Sequence, residues 1–322
     1  MHLLQKYLHS FKKLNPNKSK LLGTAPHKPI LLISLLQAFT SKVYNSPQIY
    51  ITPELVSLFK TNWGLLAYTN HNCNFALPFY HLKSSNFWKL IPKHGFEGIL
   101  QSSSSIGSFS HLNATVEYAE ISEELFQLIC DKKNNEILKQ FLLDEYFPDT
   151  QKQFSDSENE SAQLLKGFEI KILKETSQEY RAEIQELLEQ KNEEEIFLRG
   201  AAFKREIPKI YNNTCCISGM RIDATISISM IDACHIIPFS KSYDDTIRNG
   251  IALCPNLHRA FDRGLISINK DYSIIVSEVF KEIETAYSIK VFKGKRIMLP
   301  KVEIYWPLKE NLEWHRENVF KS

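Results

Sequence analysis

The sequence predicts an α+β protein with two mixed domains joined by an acidic helical segment. Its 322 residues exceed one average domain and suit two. Stretches of helical periodicity alternate with short apolar and aromatic runs that are typical of strands. Residues 1–150 carry 14 lysines, no arginine and 11 acidic residues, whereas residues 151–200 carry 7 basic and 12 acidic residues. We therefore expect domains at residues 1–150 and 201–322, with residues 151–200 as an acidic linker and helix.

The composition and the start of the chain favour a cytoplasmic protein without a membrane partner. No run of eighteen apolar residues occurs, and the segment from Met1 to Lys6 lacks the features of a signal peptide. The six cysteines follow no regular spacing, which fits a reducing compartment. Cys215 and Cys216 stand side by side without a second spaced pair, so a structural zinc ion is not expected. The net charge of +2 is too small to indicate a nucleic-acid partner by itself.

The first 150 residues predict a helix-rich domain with a few strands. Pro29 suits the first turn of one helix, and Thr52 is placed to cap another. The apolar and aromatic runs at residues 77–83 and 87–91 predict a small hairpin or two strands at a turn. A turn is expected after Leu14, and a loop is expected in the serine-rich segment 102–110. Helical patterns occur at residues 1–13, 30–39, 53–63, 122–130 and 135–146.

The remaining residues predict a helical connection followed by a mixed domain. Residues 151–162 are polar enough for a linker, and residues 176–206 predict one long amphipathic helix. A strand, a loop and a second strand then lead to His235. We expect a long loop from there to Asn249, a helix from about Asn256 and a β-rich tail at residues 265–304.

The most specific signal in the chain is a series of four polar residues in its last third. His235 ends a short β-prone run, Asn249 follows 14 residues later in an Asn-Gly turn signal, and His258 follows nine residues after that. Asp262 lies four residues beyond His258, so the two side chains share one helix face and suit a common cation. Phosphodiester hydrolysis needs a base for water, a divalent cation and a device that holds both. The series supplies all three.

Each of these residues has a structural interpretation when it is taken alone. A histidine in an apolar strand is usually a hydrogen-bonded core residue, and an Asn-Gly pair is usually only a turn. Asp262 is also placed to pair with Arg259 or Arg263. Packing does not explain the four residues together, so the series predicts a metal-dependent hydrolase.

This order of strand, loop, strand and helix with His, Asn and His resembles the HNH endonucleases of the ββα-metal fold. The resemblance begins at Tyr211 and covers about 120 residues. It implies that His235 is the general base, that Asn249 orients the loop and that histidine, and that His258 and Asp262 bind one Mg²⁺ or Mn²⁺ ion. His258 thereby counts among the catalytic residues. Relatives often carry an acid or histidine just before the base, where this chain has Cys234, a soft ligand poorly suited to Mg²⁺. Asp232 or a water molecule would then complete the ligand set.

The first 150 residues resemble the sulfur-binding domain that precedes HNH modules in restriction enzymes for phosphorothioate-modified DNA. The motifs that carry this resemblance begin at Pro26, Leu77 and Phe141. It implies an apolar cavity for sulfur at Tyr146, Phe147 and Pro148. Contacts to phosphates and bases are expected from a basic and polar set: His27, Lys28, His81, Lys83, Lys89 and His111. The absence of arginine departs from the relatives, because lysine lacks the forked geometry for phosphate or guanine.

These resemblances together predict a type IV-like, modification-dependent restriction endonuclease that cuts double-stranded DNA by a one-metal mechanism near a phosphorothioate. A homodimer would provide two active sites for the two strands. One alternative is that the first domain reads a modified base such as 5-methyl- or 5-hydroxymethylcytosine, for which an aromatic pocket would be needed. The candidate walls are Phe79, Tyr80, Phe87 and Trp88. Another alternative, a DNA-binding protein with an inactive nuclease lobe, is disfavoured by the intact four-residue series.

Overall fold

A computed structural model of the chain describes residues 2–14, 18–19, 21–102, 105–155, 160–222, 230–283, 285 and 288–322. The chain divides into an N-terminal unit, Met1–Lys166, and a C-terminal unit, Gly167–Ser322. Both contain helices and small sheets, which confirms the predicted α+β class. None of the helices in the described ranges is long and apolar enough to cross a membrane.

The N-terminal unit combines helices with small antiparallel sheets. Its helices are α1 (His2–Lys12), α2 (His27–Thr40), α3 (Pro53–Leu66), α4 (Ala76–His81), α5 (Glu97–Ser102), α6 (Phe109–Thr115), α7 (Glu123–Cys130), α8 (Lys132–Tyr146) and α9 (Gln151–Ser155). Its strands are β1 (Lys18–Ser19), β2 (Gly23–Thr24), β3 (Gln48–Ile49), β4 (Trp88–Pro92) and β5 (Val116–Ile121). β1 pairs with β2, and β5 lies between β3 and β4. The helices predicted at residues 1–13, 30–39, 53–63, 122–130 and 135–146 are all present.

Helix α2 forms the centre of this unit. Every residue from Pro29 to Leu36 is buried, and the helix packs against α3, α4, α7 and α8. The polar groups in this core pair with one another, since Asn62 Nδ2 donates to Ser34 Oγ at 2.8 Å and to Gln37 Oε1 at 2.7 Å. Buried polar atoms that are satisfied in this way fix how α3 packs on α2.

The segment predicted as a strand at residues 77–83 is a helix. α4 is followed by a 3-10 turn at Leu82–Ser84, and only the following run forms a strand, β4. Phe75 and Phe79 stack with ring centroids 5.4 Å apart, at the i, i+4 spacing of a helix face. Asn74 Oδ1 accepts from the backbone nitrogen of Leu77 at 2.9 Å and supports the start of the helix. The aromatic residues therefore follow a helical period rather than a strand period.

Two further predictions in this unit are revised or lie outside the described residues. The loop expected at residues 102–110 ends early, because α6 begins at Phe109 with Ser108 accepting from the backbone nitrogen of His111 at 3.3 Å. Residues 103–104 and 156–159 lie outside the described ranges, and so does the turn expected at residues 15–17. Within the segment expected as a linker, the described residues form α9 and the start of α10.

The C-terminal unit places two short antiparallel strand pairs among helices. Its helices are α10 (Glu160–Lys174, which begins before Gly167), α11 (Ser177–Glu189), α12 (Glu193–Ile210), α13 (Phe239–Ser242), α14 (Pro255–Asp262) and α15 (Lys309–Asn318). Its strands are β6 (Asp232–His235), β7 (Gly250–Leu253), β8 (Ile266–Ile268) and β9 (Ile274–Val276). β6 pairs with β7, and β8 pairs with β9.

The single long helix predicted at residues 176–206 is two helices. α11 begins at a complete capping box in which Thr176 and Glu179 exchange hydrogen bonds with each other's backbone. The helix then ends, and Lys191, whose φ of 54° is left-handed, turns the chain before α12 begins. The apolar periodicity continues across this break and conceals it in the sequence, because only three residues separate the two helices.

The β-rich tail expected at residues 265–304 is confirmed only for β8 and β9. Beyond Val276, the described residues include 3-10 turns at Ile289–Phe292 and Glu303–Tyr305. Before β6, Thr214 and Arg221 form an isolated bridge instead of the expected strand, and residues 223–229 lie outside the described ranges. The β-branched residues in these segments therefore predicted more strands than the described residues form.

Gly250 begins β7 and does not form the predicted turn with Asn249. Its φ is −131°, which is extended, and Asn249 ends a 3-10 turn at Ile247–Asn249. A Cβ atom at Gly250 would lie 2.3 Å from Ile207 Cδ1 and 2.7 Å from Phe203 Cε2. Glycine at this position lets α12 pack directly on the backbone of β7.

Replacing Gly250 with alanine is therefore expected to lower the free energy of unfolding by about 1–3 kcal/mol, because the added methyl group overpacks the contact with α12. Chemical denaturation of the full chain measures this. Gly167→Ala is the matched control, since a Cβ atom added there would meet nothing within 4 Å and alanine suits a helix. Equal stabilities of the two variants would contradict the close approach.

Candidate active site

Strands β6 and β7 with helix α14 form the framework of the candidate site. In the antiparallel register His235 lies opposite Gly250 and Cys234 lies opposite Ile251. α14 follows β7 at once, and Pro255 occupies its first turn, where a missing backbone N–H is tolerated. This arrangement places the end of β6 next to one face of α14. The predicted order of strand, loop, strand and helix is present.

His235 is held on its ring face and at one ring nitrogen. Its ring stacks on Phe203 of α12, with centroids 4.0 Å apart and an interplanar angle of 10°. Its Nε2 lies 2.7 Å from Asp245 Oδ1. A carboxylate oxygen accepts, so Nε2 donates in this pair and Nδ1 carries the lone pair of the neutral ring. The side chain keeps 23% of its surface exposed, which leaves the ring accessible.

Asn249 is buried and fastens the loop that follows His235. Its Oδ1 accepts from the backbone nitrogen of Ile237 at 3.0 Å, and its Nδ2 donates to the carbonyl oxygens of Ile237 and Asp244, both at 2.9 Å. Asn311 of α15 donates to the same Oδ1 at 3.1 Å. None of these hydrogen bonds involves the His235 side chain, so they act on that histidine through the loop.

The second histidine of the series lies in a group of three potential metal ligands. His258 Nε2 is 3.4 Å from Asp262 Oδ2 across one turn of α14. Ligand atoms of Cys234, His258 and Asp262 all lie within 4.8 Å of one another. An imidazole nitrogen and a carboxylate oxygen suit most divalent ions, including Mn²⁺, and a thiol suits softer ones. The donor set therefore fits a divalent cation, with Cys234 as its unusual member.

Asp232 lies behind His258. Its Oδ2 is 3.1 Å from His258 Nδ1, the ring nitrogen that faces away from Asp262. Such a pair fixes the tautomer, with Nδ1 protonated and Nε2 available as a ligand. The contact places Asp232 in an orienting position, whereas the sequence suggested a direct ligand.

Cys234 is fully buried beside Asp262. Burial raises the pKa of its thiol well above the usual value, and the neighbouring carboxylates of Asp262 and Asp232 raise it further. Its Sγ lies 3.9 Å from Asp262 Oδ1. The thiol is therefore protonated at neutral pH when no cation is bound, and it is a poor partner for a hard ion such as Mg²⁺.

Sequence reasoning missed Asp245 and Phe203, which position His235. Asp245 is 2% exposed and sits in the loop between the first two residues of the series. Two consecutive acids in that loop, Asp244 and Asp245, were the available signal, because buried carboxylates need partners. Phe203 gave no such signal, since an apolar residue in an amphipathic helix is normally core.

Of the residues predicted to contact DNA in the N-terminal unit, three lie near one another. Partial burial lowers the pKa of His81, and the nearby charges of Lys28 and Lys83 lower it further. Lys28 Nζ donates to the carbonyl oxygen of Leu14 at 3.0 Å. The two lysines make this a local positive region, and we call Lys28, His81 and Lys83 the basic cluster.

The other candidates lie in different surroundings. His27 is buried against Trp63, with ring centroids 4.5 Å apart, and burial lowers its pKa to about 4, so the ring is neutral at pH 7. Lys89 is exposed on β4 and pairs across the sheet with Glu120. His111 is exposed on α6.

Tyr146, Phe147 and Pro148 end α8 and differ in exposure. Phe147 is 1% exposed and belongs to the core, whereas Pro148 is exposed. The Tyr146 hydroxyl donates to the carbonyl oxygen of Phe11 at 2.7 Å, and burial raises its pKa to about 12. In this structure the hydroxyl is therefore engaged with backbone, and the Phe147 ring offers little surface to a ligand.

Residues 215–269 match the family model described as HNH endonuclease. This range contains the whole His235, Asn249 and His258 series together with Asp262. The chain therefore contains an HNH endonuclease domain, and the predicted enzyme class is confirmed for it.

Among solved structures, the chain is similar to a protein titled "Modification dependent TagI restriction endonuclease". The two are 19% identical, with a TM-score of 0.28 over 37% of this chain and 38% of that chain. The match thus spans less than half of either protein. No curated protein matches the sequence.

Replacing Asn249 with alanine is expected to lower the free energy of unfolding by about 3 kcal/mol, because buried backbone groups of Ile237 and Asp244 lose their partner. Denaturant titration of the full chain measures the change. Asn318→Ala is the matched control, since that exposed side chain makes one local bond to Trp314 at 2.8 Å. A difference of under about 0.5 kcal/mol between the two variants would refute the fastening role.

Proposed function

We propose that the chain is a modification-dependent restriction endonuclease that cuts double-stranded DNA. In this proposal the C-terminal unit hydrolyses the phosphodiester and the N-terminal unit selects marked DNA. One observation carries the hydrolytic half: an imidazole held by a buried carboxylate directly follows, in β6, the cysteine of a Cys, His and Asp group suited to a divalent ion.

His235 is the general base in this proposal. Its Nε2 donates to Asp245, so Nδ1 accepts a proton from the attacking water. Stacking on Phe203 resists rotation of the ring, which keeps that nitrogen in place. A positioned imidazole base contributes roughly 10²–10⁴ to a hydrolytic rate.

His258 and Asp262 would hold one Mg²⁺ or Mn²⁺ ion, with Cys234 at its edge. When bound, such an ion neutralises the charge that develops on the scissile phosphate. Asp232 keeps the His258 ring in the tautomer whose Nε2 carries a lone pair. Asn249 keeps the loop after His235 in place through its buried amide.

A groove of about 350 Å³ beside the loop supports a path for DNA. It is lined by Arg181, Gln185, Ile237, Lys241, Ser242, Tyr243 and Trp314. Its two cations, Arg181 and Lys241, suit the phosphate oxygens of a DNA backbone. Because Ile237 lies two residues after His235, a strand in this groove would run close to the base.

The basic cluster of the N-terminal unit is the proposed contact with the DNA backbone. Lys28, His81 and Lys83 offer donors to phosphate oxygens, which position DNA without reading its sequence. We propose a phosphorothioate as the mark, on the sequence resemblance to sulfur-binding domains. The candidate walls for a modified base, Phe79, Tyr80, Phe87 and Trp88, are each at most 4% exposed, and Phe147 of the expected sulfur cavity is 1% exposed, so burial favours neither mark over the other. A homodimer would bring one active site to each strand.

Cleavage of matched plasmids tests the proposal. With Mg²⁺ or Mn²⁺, we expect the full chain to cut a phosphorothioated plasmid and to leave unmodified and hydroxymethylated plasmids intact. His235→Ala should lower the rate by roughly 10²–10⁴, because the base is removed. His94→Ala is the matched control, since that side chain is fully exposed in the N-terminal unit and its removal should leave the rate unchanged.

Equal cutting of all three plasmids would contradict modification dependence, and cutting of the hydroxymethylated plasmid alone would favour the modified-base alternative. Full activity of His235→Ala would contradict the assignment of the base. The inactive-lobe alternative predicts that the wild-type chain binds DNA and cuts none of the plasmids.

Cys234→Asp tests the ligand group. Without metal, we expect a lower Tm than wild type, because a carboxylate then replaces a fully buried thiol next to the Asp262 carboxylate. Mg²⁺ should raise the Tm of the variant more than that of wild type, with an affinity about tenfold higher by calorimetry, since oxygen ligands suit this ion. His258→Ala should abolish the response. An unchanged Mg²⁺ affinity in Cys234→Asp would place the ion elsewhere.

A further inference from the structure

The first turn of α11 contacts three consecutive residues of the loop between His235 and Asn249. The contacts pair Ser177 with Thr246, Tyr180 with Asp245 and Arg181 with Asp244, at 3.3, 3.0 and 3.6 Å in that order. These contacts hold the part of the loop that contains Asp245, the residue that binds the proposed base His235. α11 lies outside residues 215–269, the range that matches the HNH family.

Tyr180 and His235 bind the two oxygens of one buried carboxylate. The Tyr180 hydroxyl donates to Asp245 Oδ2 at 3.0 Å, and His235 Nε2 donates to Oδ1 at 2.7 Å. Tyr180 is fully buried and Asp245 is 2% exposed, so bulk water does not substitute readily for either donor. With both oxygens engaged, the carboxylate has one favoured orientation.

We propose that Tyr180 is a positioning residue for His235: its hydroxyl fixes the Asp245 carboxylate, which in turn holds the imidazole with Nδ1 available to water. This inference rests on the proposed function, because it assigns a role toward the general base. With this role for Tyr180, the residues that support catalysis include one from α11, outside the segment that matches the HNH family.

Two features keep Tyr180 itself in place. The capping box of Thr176 and Glu179 fixes where α11 begins, and Tyr180 follows directly. On the ring face, the Arg199 guanidinium lies 5.3 Å from the ring centroid, and Arg199 is fully buried and bound to Glu183 at 2.5 Å. Burial and the neighbouring Asp245 charge raise the pKa of the Tyr180 hydroxyl, so it keeps its proton and remains a donor.

Tyr180→Phe removes only the hydroxyl and leaves Asp245 Oδ2 buried without this donor. We expect kcat for DNA cleavage to fall about tenfold, with KM within twofold of wild type, because the loss affects the base and not DNA binding. Tyr211→Phe is the matched control. Its hydroxyl is also buried in the C-terminal unit but has no hydrogen-bond partner among the described residues, so kcat should not change.

A double-mutant cycle separates positioning from a general loss of structure. If Tyr180 acts through Asp245, then Tyr180→Phe should change kcat by less than about twofold in an Asp245→Ala background. A full tenfold effect in that background would overturn the inference. So would equal kcat values for Tyr180→Phe and Tyr211→Phe.

A spectroscopic readout tests the inference even if the chain cuts no DNA. In ¹⁵N-histidine NMR spectra, the neutral form of His235 should be the Nε2-protonated tautomer. Its signal is assigned by its absence in His235→Ala. Tyr180→Phe should mix the tautomers, and Tyr211→Phe should not. An unchanged His235 spectrum in Tyr180→Phe would overturn the positioning role. A wild-type chain that cuts no DNA would contradict only the proposed function.

Discussion

The buried amide of Asn249 is the interaction on which the rest of the candidate site depends. It binds both backbone groups of Ile237 and the carbonyl oxygen of Asp244, so it ties the start and the middle of the loop between β6 and β7 to the residue that precedes β7. Asp245 follows Asp244 directly, and its carboxylate reaches His235 only because the loop is closed. An unpaired amide in this place would be costly, which makes the closed loop the stable one.

The two histidines of the site are organised by the same chemical device. Asp245 occupies the Nε2 of His235, and Asp232 occupies the Nδ1 of His258, each at about 3 Å. A carboxylate on one ring nitrogen fixes the tautomer and leaves the other nitrogen with a lone pair. The lone pair at His235 suits proton abstraction, and the lone pair at His258 suits a cation. Which nitrogen is occupied therefore decides which role each ring can take.

The helices of the C-terminal unit are part of the site as well as its support. α12 contributes Phe203 as the stacking surface for His235, and its close approach to β7 requires glycine at residue 250. α11 contributes Tyr180 to the buried carboxylate. Sequence periodicity indicated one amphipathic helix here, because Ile184, Leu187 and Leu198 repeat at helical spacing. The break at Lys191 and the inward-facing Tyr180 depend on packing that periodicity does not encode.

The sequence by itself determined the α+β class and the main helices of the N-terminal unit, and it singled out His235, Asn249, His258 and Asp262 as candidates for a site. It did so because residue type and spacing along β6 and α14 are local properties, and an i, i+4 pair shares a helix face in any fold. Only the tertiary structure placed Asp245, Tyr180 and Phe203 around His235. It also brought Asp232 to Nδ1 of His258 and buried Cys234 beside Asp262. These contacts join residues far apart in the chain, and their partners are chosen by packing and by the need to satisfy buried charge.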